Sequence, residues 1–362
     1  MLIQQIRHLL ALVLLVTAPM AYAADASPKP APSEQAVSEQ ALMAQQQQVL
    51  AAQQQAMQTI QLHPQQAEVE LWSAIKNGDQ GVTSAQTTGA DQLINVVGNE
   101  GKLVRSEYMM PAMAFAVVGV FGLFLLFFLI NGPAKLAHGF SGKMVERWSK
   151  LDIWLHWLMA ISCLTLMFTG LNILLGRFVL QPLVPASIWA ALIYGSKTIH
   201  DWISPVFMVS WIMCIVKWLP LQTFKMYDLK WFATVGGYIN FGPFKGKHPD
   251  SGFANAGEKM WFWTLTLFGL VVVVSGLLLL LPKLELARDV SVLALLAHDA
   301  AAVILIAFTI VHVWMATVLS EGGLESMVSG YCDENWAMQH HNLWYDELKS
   351  QGLLKYKPNG LT

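Results

Sequence analysis

Charge is scarce in this chain. Asp, Glu, Lys and Arg together make up 13% of the 362 residues, against 55% apolar residues, and the net charge is -2. That composition belongs to membrane proteins, and the near-neutral balance argues against a nucleic-acid partner. Cysteine is also sparse: Cys163, Cys214 and Cys332 stand far apart. No Cys-x-x-Cys pair is present for a zinc or iron–sulfur site, and no Cys-x-x-Cys-His for covalent haem attachment. Abundant instead are long apolar runs and 14 tryptophans.

Residues 1–23 read as a secretory signal, with Arg7 and His8 ahead of the apolar run Leu9 to Val16 and the small-residue site Ala21-Tyr22-Ala23. The run is short for a membrane helix. Residues 24–66 are polar and rich in Pro, Ala and Gln, the composition of an exported linker. Residues 67–108, with Trp72, Ile75, Leu93, Ile94 and Val96 among glycines, are expected to form a small periplasmic segment. Five apolar segments follow: Pro111 to Ile130 within an extra span at 109–131, then Leu151 to Leu175, Ile199 to Leu219, Met260 to Leu281 and Val292 to Leu319. Each is long enough for the roughly 20 residues of helix that cross a hydrocarbon core.

Loop charges set an orientation. Lys135, Lys143, Arg147 and Lys150 follow the first span, and Lys225, Lys230, Lys245 and Lys247, with Lys259 at the edge, follow the third. The other two loops carry only Arg177 with Lys197 and Lys283 with Arg288. The positive-inside rule therefore puts the processed N-terminus outside and the tail, 321–362, in the cytoplasm, the same orientation that export of the N-terminus gives.

Four histidines lie in the apolar segments: His156, His200, His298 and His312. Ionisable groups are costly at membrane depth and usually have partners. His298 and His312 are fourteen residues apart, close to four turns, so they share one helix face at a separation of roughly 20 Å. That spacing suits one ligand to each of two haems stacked across a bilayer, held without covalent attachment as b-type haem. Matching depths pairs His156 with His312 on the cytoplasmic side and His200 with His298 on the periplasmic side. The fold expected is an all-α membrane protein: a four-helix transmembrane dihaem bundle over 145–320 plus one additional N-terminal transmembrane helix. A histidine-dependent transporter is the reading of another class. Gly170, Gly195 and Gly276 leave room for a flat macrocycle or for close helix packing. The remaining histidines, His8, His63, His138, His248, His340 and His341, are expected in solvent, and Trp148, Trp189 and Trp218 at the membrane interface.

From Val145 to Leu348 the chain resembles the gamma subunit, cytochrome b, of respiratory membrane-bound formate dehydrogenase. The resemblance is carried by Leu151-Asp152-Ile153-Trp154-Leu155-His156-Trp157, Ile199-His200, Asn255-Ala256-Gly257-Glu258-Lys259, the His298 to His312 helix and the tail Trp336-Ala337-Met338-Gln339-His340-His341-Asn342-Leu343-Trp344-Tyr345. Hydrogenase and thiosulfate-reductase cytochromes b share the histidines. The Asn-Ala-Gly loop and the tail favour formate dehydrogenase. Glu258 stands where a familiar member carries Gln. The resemblance implies a bacterial inner-membrane subunit with two haem b groups and quinone as electron acceptor; Asn255, Gly257, Lys259 and His312 are the candidates to bind quinone, the other reading being that Asn255 and Gly257 shape a helix start and Lys259 is an interfacial anchor. It also implies an iron–sulfur beta subunit and a molybdenum- or tungsten-pterin alpha subunit as partners, with formate oxidised on the alpha subunit. Moving each electron inward costs about 2.3 kcal/mol per 100 mV of opposing potential, which the redox drop from donor to quinone must exceed. The tail from Glu321 is expected to form a surface or contact helix.

Overall fold

The computed structural model describes residues 96–281 and 288–358, the helix α1 (Pro64–Asn77), Asp79 and a broken run between 43 and 58. The signal assigned to residues 1–23 lies outside the described residues. The chain divides into two units, through Asn95 and from Val96 onward. In the first, α1 is a separate helix with exposed Leu71 and Trp72.

The second unit is helical. α2 (Val96–Val104) passes through a π-helical turn into α3 (Met110–Asn131), and α4 (Lys150–Val179), α5 (Ala186–Trp218), the short α6 (Met226–Ala233), α7 (Ala256–Leu280) and α8 (Arg288–Trp314) follow. Among the described residues, five helical stretches are long and apolar enough to cross a membrane, in α2 to α3, α4, α5, α7 and α8. The protein is an all-α integral membrane protein. α4 packs along α5, α7 along α8, and α3 along α8. The main core joins α4, α5, α7 and α8 through Leu155, Met159, Phe207, Trp211, Phe262, Leu265 and Leu305.

Local chemistry sets the helix ends. Ser149 caps α4, its hydroxyl accepting the Asp152 N–H at 3.3 Å while Asp152 accepts the Ser149 N–H at 3.2 Å. Asn255 caps α7 in the same way: its Oδ1 accepts the Glu258 N–H at 2.9 Å, and Glu258 accepts the Asn255 N–H at 3.0 Å. α5 begins well before the expected Ile199, directly after Pro185. Lys197 in the added turns pairs with Asp201 at 2.5 Å, a four-residue spacing that supports the helix. His200 is therefore well inside α5 rather than at its start. Pro205 interrupts the same helix and cannot donate to the Asp201 carbonyl. The Ser204 hydroxyl donates to that carbonyl at 3.0 Å instead.

The tail, expected as a surface or contact helix, folds among the described residues as three short helices and a strand that pack within the second unit. Residues Tyr331–Asp333 (β2) pair antiparallel with Met144–Glu146 (β1), setting Val145 opposite Cys332. α9 (Glu325–Ser329) precedes β2, and α10 (Glu334–His340) and α11 (Asn342–Ser350) follow it. Trp336, Ala337, Trp344 and Tyr345 bury against Leu136 and Val145. Gly330 ends α9 at φ 86°, where a Cβ would come within 2.8 Å of the Trp148 carbonyl, so only glycine passes. The expected solvation of His340 and His341 is corrected, since they are 6% and 0% exposed. The aromatic residues of the tail form a small core that two strands separated widely in sequence bring together. Trp148 and Trp218 are likewise packing residues, their rings 5.6 Å apart, with Trp218 Nε1 donating to Asp152 at 2.8 Å.

Candidate functional site: two histidine pairs and a cavity

The helix arrangement brings the four intramembrane histidines together in two pairs. His200 of α5 and His298 of α8 have ring centroids 6.2 Å apart, and His156 of α4 and His312 of α8 have centroids 6.4 Å apart.

The His200–His298 pair is held symmetrically. The Thr169 hydroxyl on α4 lies 2.9 Å from His200 Nδ1, and the Ser275 hydroxyl on α7 lies 3.1 Å from His298 Nδ1. Each hydroxyl gives its single hydrogen to a carbonyl one turn back, Thr165 at 2.8 Å and Val271 at 2.5 Å. With that hydrogen on the carbonyl, each hydroxyl is left to accept from Nδ1–H, the tautomer that puts the lone pair of the imidazole on Nε2. The next residue in each helix is glycine. A Cβ on Gly170 would lie 3.4 Å from His200 Cε1, and one on Gly276 would lie 3.4 Å from His298 Cε1. Gly195, the third glycine considered, has no atom within 4 Å of its Cβ position and plays no part. Thr169 and Ser275 were missed in the sequence; the signal was a hydroxyl–glycine pair repeated on two helices.

The second pair has different surroundings. His156 Nδ1 is buried with no hydrogen-bond partner, and Trp261 lies flat against His312 with centroids 5.0 Å apart and planes 16° apart. His312 also borders a cavity of about 520 Å³. Asn255, Gly257 and Glu258 at the start of α7, Phe124 and Phe127 of α3, and Tyr238 of the loop after α6 line this cavity with it. Of the four residues expected to hold quinone, Asn255, Gly257 and His312 are brought together here. Lys259 is not among the lining residues. It is 2% exposed, with Nζ 2.7 Å from Asp228, in a buried ion pair that fastens α6 to α7. Nor is it an interfacial anchor. The cavity wall from α3 and the lining by Tyr238 carried no periodic signal in the sequence.

These residues fit iron bound between imidazoles. Two metal–nitrogen bonds of about 2.0–2.1 Å plus the half-widths of two five-membered rings account for centroid separations of 6.2 and 6.4 Å. The Nδ1 contacts of the His200–His298 pair, which leave Nε2 free, and the glycines beside them agree with that fit.

Known proteins show the same kinship. The chain is 24% identical over 227 residues to the cytochrome b556(Fdn) subunit of nitrate-inducible formate dehydrogenase from Escherichia coli, covering 61% of this chain and 99% of that one. It is 26% identical over 200 residues to the cytochrome b556(fdo) subunit of formate dehydrogenase of the same species, covering 54% and 88% of the two chains. To the formate dehydrogenase cytochrome b556 subunit of Haemophilus influenzae it is 27% identical over 201 residues, covering 53% and 78%. The profile of prokaryotic cytochrome b561 matches residues 147–330, which contain both histidine pairs and most of the cavity lining, and the chain belongs to that family of membrane cytochromes b.

Proposed function

We propose that the protein is the membrane-anchoring cytochrome b subunit of a formate dehydrogenase complex, carrying electrons from an iron–sulfur subunit through two b haems to membrane quinone. The observation that carries this reading is the stacking of two histidine pairs at two levels of one helix bundle. Formate oxidation belongs to a molybdenum- or tungsten-pterin subunit in this reading. The three free cysteines of this chain, among the described residues, provide no cluster site for either job. We place the subunit in a bacterial inner membrane with its tail in the cytoplasm, the side to which the loop lysines point.

Each bound haem would supply a one-electron carrier whose potential depends on its ligands and burial. The protein's own residues do the rest. Thr169 and Ser275 orient the His200 and His298 rings and direct Nε2 inward. Trp261 holds the His312 ring flat at the cavity edge. The aromatic residues of α3 and of the loop after α6 exclude water from the cavity. Asn255 Oδ1 is committed to the helix cap, so its amide nitrogen is the group that donates to a quinone carbonyl.

Purification with partner subunits tests the reading. The expected result is a reduced-minus-oxidised b-type spectrum with two haems per chain, reducible by formate. A folded but colourless protein would defeat it, and co-purification with a nickel–iron hydrogenase would reject the formate assignment while keeping the histidine assignments.

A further inference from the structure

The electron path between the histidine pairs makes no use of a group of ionisable side chains at the tail side of the cavity. Glu258 borders the cavity. Its Oε2 accepts the Asn255 N–H at 3.0 Å, and Arg147 Nη2 donates to Oε1 at 3.1 Å and to Oε2 at 3.2 Å. Arg147 is fixed by aromatic residues, with its guanidinium over the rings of Trp148, Phe253 and Trp336, and it donates to the Phe253 carbonyl at 2.8 Å.

Beside Glu258 lies His341, fully buried. Its Nδ1 is 2.9 Å from the Gly252 carbonyl, which can only accept, so Nδ1 carries the hydrogen and Nε2 is an acceptor. Nε2 has no hydrogen-bond partner and lies 3.9 Å from Glu258 Oε1. Burial, with the positive charge of Arg147 added, holds the His341 imidazole well below its ordinary pKa and so neutral. A neutral imidazole nitrogen and a carboxylate oxygen thus face each other as two acceptors. Leaving a buried acceptor unpaired carries a desolvation cost, and a proton on the carboxyl, with a side-chain rotation that closes the 3.9 Å gap, gives Nε2 a hydrogen bond. Of the groups on other elements, Arg147 contacts Glu258, and Tyr238, His340 and His312 lie within reach of its charge.

We infer that Glu258 and His341 form a proton-delivery pair for the cavity, an inference that rests on the quinone-reducing reading above. Reduction of a quinone to a quinol takes two electrons, supplied by the donor complex, and two protons. For each proton, the O–H bond of the Glu258 carboxyl breaks as an O–H bond to a quinone carbonyl oxygen forms. The carboxylate left behind is stabilised by Arg147. Glu258, with 39% of its side chain exposed, is then reprotonated from water, and His341 Nε2 holds the new carboxyl proton in place. Two such cycles balance the two electrons.

Glu258→Gln separates delivery from structure, because glutamine serves equally at the third position of a capping box. Binding of a decyl-chain benzoquinone is read from quenching of the cavity tryptophans Trp231, Trp261 and Trp336. Turnover is read from reoxidation of the dithionite-reduced complex by the same quinone. In Glu258→Gln, affinity is expected to stay within about threefold of wild type. Reoxidation should slow by roughly a hundredfold, and millimolar acetate, a diffusible carboxylic acid, should restore part of the rate. His341→Gln should slow reoxidation by a smaller factor; if that variant does not fold, Glu258→Gln decides alone. Wild-type reoxidation in Glu258→Gln, or slowing that acetate does not relieve, overturns the proton pair. Absence of quenching in the wild type, or quenching unchanged in Asn255→Ala, overturns the quinone site itself and the inference with it.

Discussion

The two histidine pairs use the same residue type on crossing helices, and their surroundings differ in kind. Around His200 and His298 the neighbours are a hydroxyl and a glycine, repeated on α4 and α7, which set the ring tautomer and leave space at Cε1. In the His156–His312 pair, among the described residues, no hydroxyl hydrogen-bonds to His156 Nδ1. A tryptophan lies flat against one ring, the other has an unpartnered Nδ1, and the cavity opens beside them. Both pairs have the spacing that fits the proposed iron, and the cavity described above borders the His312 end. A carrier that receives electrons needs fixed ligands and burial. One that passes them to a diffusible acceptor needs a place for that acceptor, and the fold supplies it with α3, a helix that holds none of the histidines.

The largest effect should come from removing ligands. His200→Ala and His298→Ala are each expected to abolish one spectral component, and His156→Ala and His312→Ala the other, with haem content falling from two to one per chain. Potentiometric titration of the four variants reads this directly. Loss of the same component from His156→Ala and His200→Ala would break the comparison at its root.

A smaller but more selective effect is expected at the cradle glycines. A Cβ at Gly170 or Gly276 already comes to 3.4 Å of a histidine carbon, so leucine at either position should displace the ring and lower occupancy of that haem alone. Gly195→Leu is the control, since its Cβ position meets nothing within 4 Å. Pyridine haemochrome content and the remaining redox component distinguish the three. Equal losses from both components would mean that the glycines serve general helix packing.

The smallest effect is expected from the hydroxyls. Thr169→Val and Ser275→Ala remove the acceptor for Nδ1–H while keeping the ligand, which weakens the donor strength of the imidazole. The potential of the His200–His298 haem should rise by on the order of tens of millivolts, since shifts of this size correspond to about 1 kcal/mol for one electron. The other potential should not move. A shift of both would show that the two sites are not independently tuned.

Much of this architecture is legible in the sequence. Apolar run length and loop charge are local properties, and they identified the spans of α4, α7 and α8 closely. In α5 the polar Ser196, Lys197 and Asp201 break the apolar run, so the expected start at Ile199 misses the turns after Pro185, although Ile188, Trp189, Leu192 and Ile193 continue the helix and Lys197 pairs with Asp201 across one turn. Lys259 shows the same limit at the site. Its place in the sequence, at the edge of a span, suited either quinone contact or anchoring, yet its partner Asp228 is 31 residues away on α6.

The sequence by itself determined the membrane class, the number and approximate position of the spans, and the two levels at which histidines recur, because helix periodicity and bilayer thickness act on contiguous residues. Only the tertiary structure decided which atoms surround those histidines. The Thr169 and Ser275 hydroxyls, the α3 wall of the cavity and the burial of His340 and His341 all come from segments far apart in the chain. Arg147 and Glu258, 111 residues apart, meet through the tail and the start of α7. Such contacts follow from packing of whole helices and from a small sheet joining β1 to β2, and no local pattern encodes them.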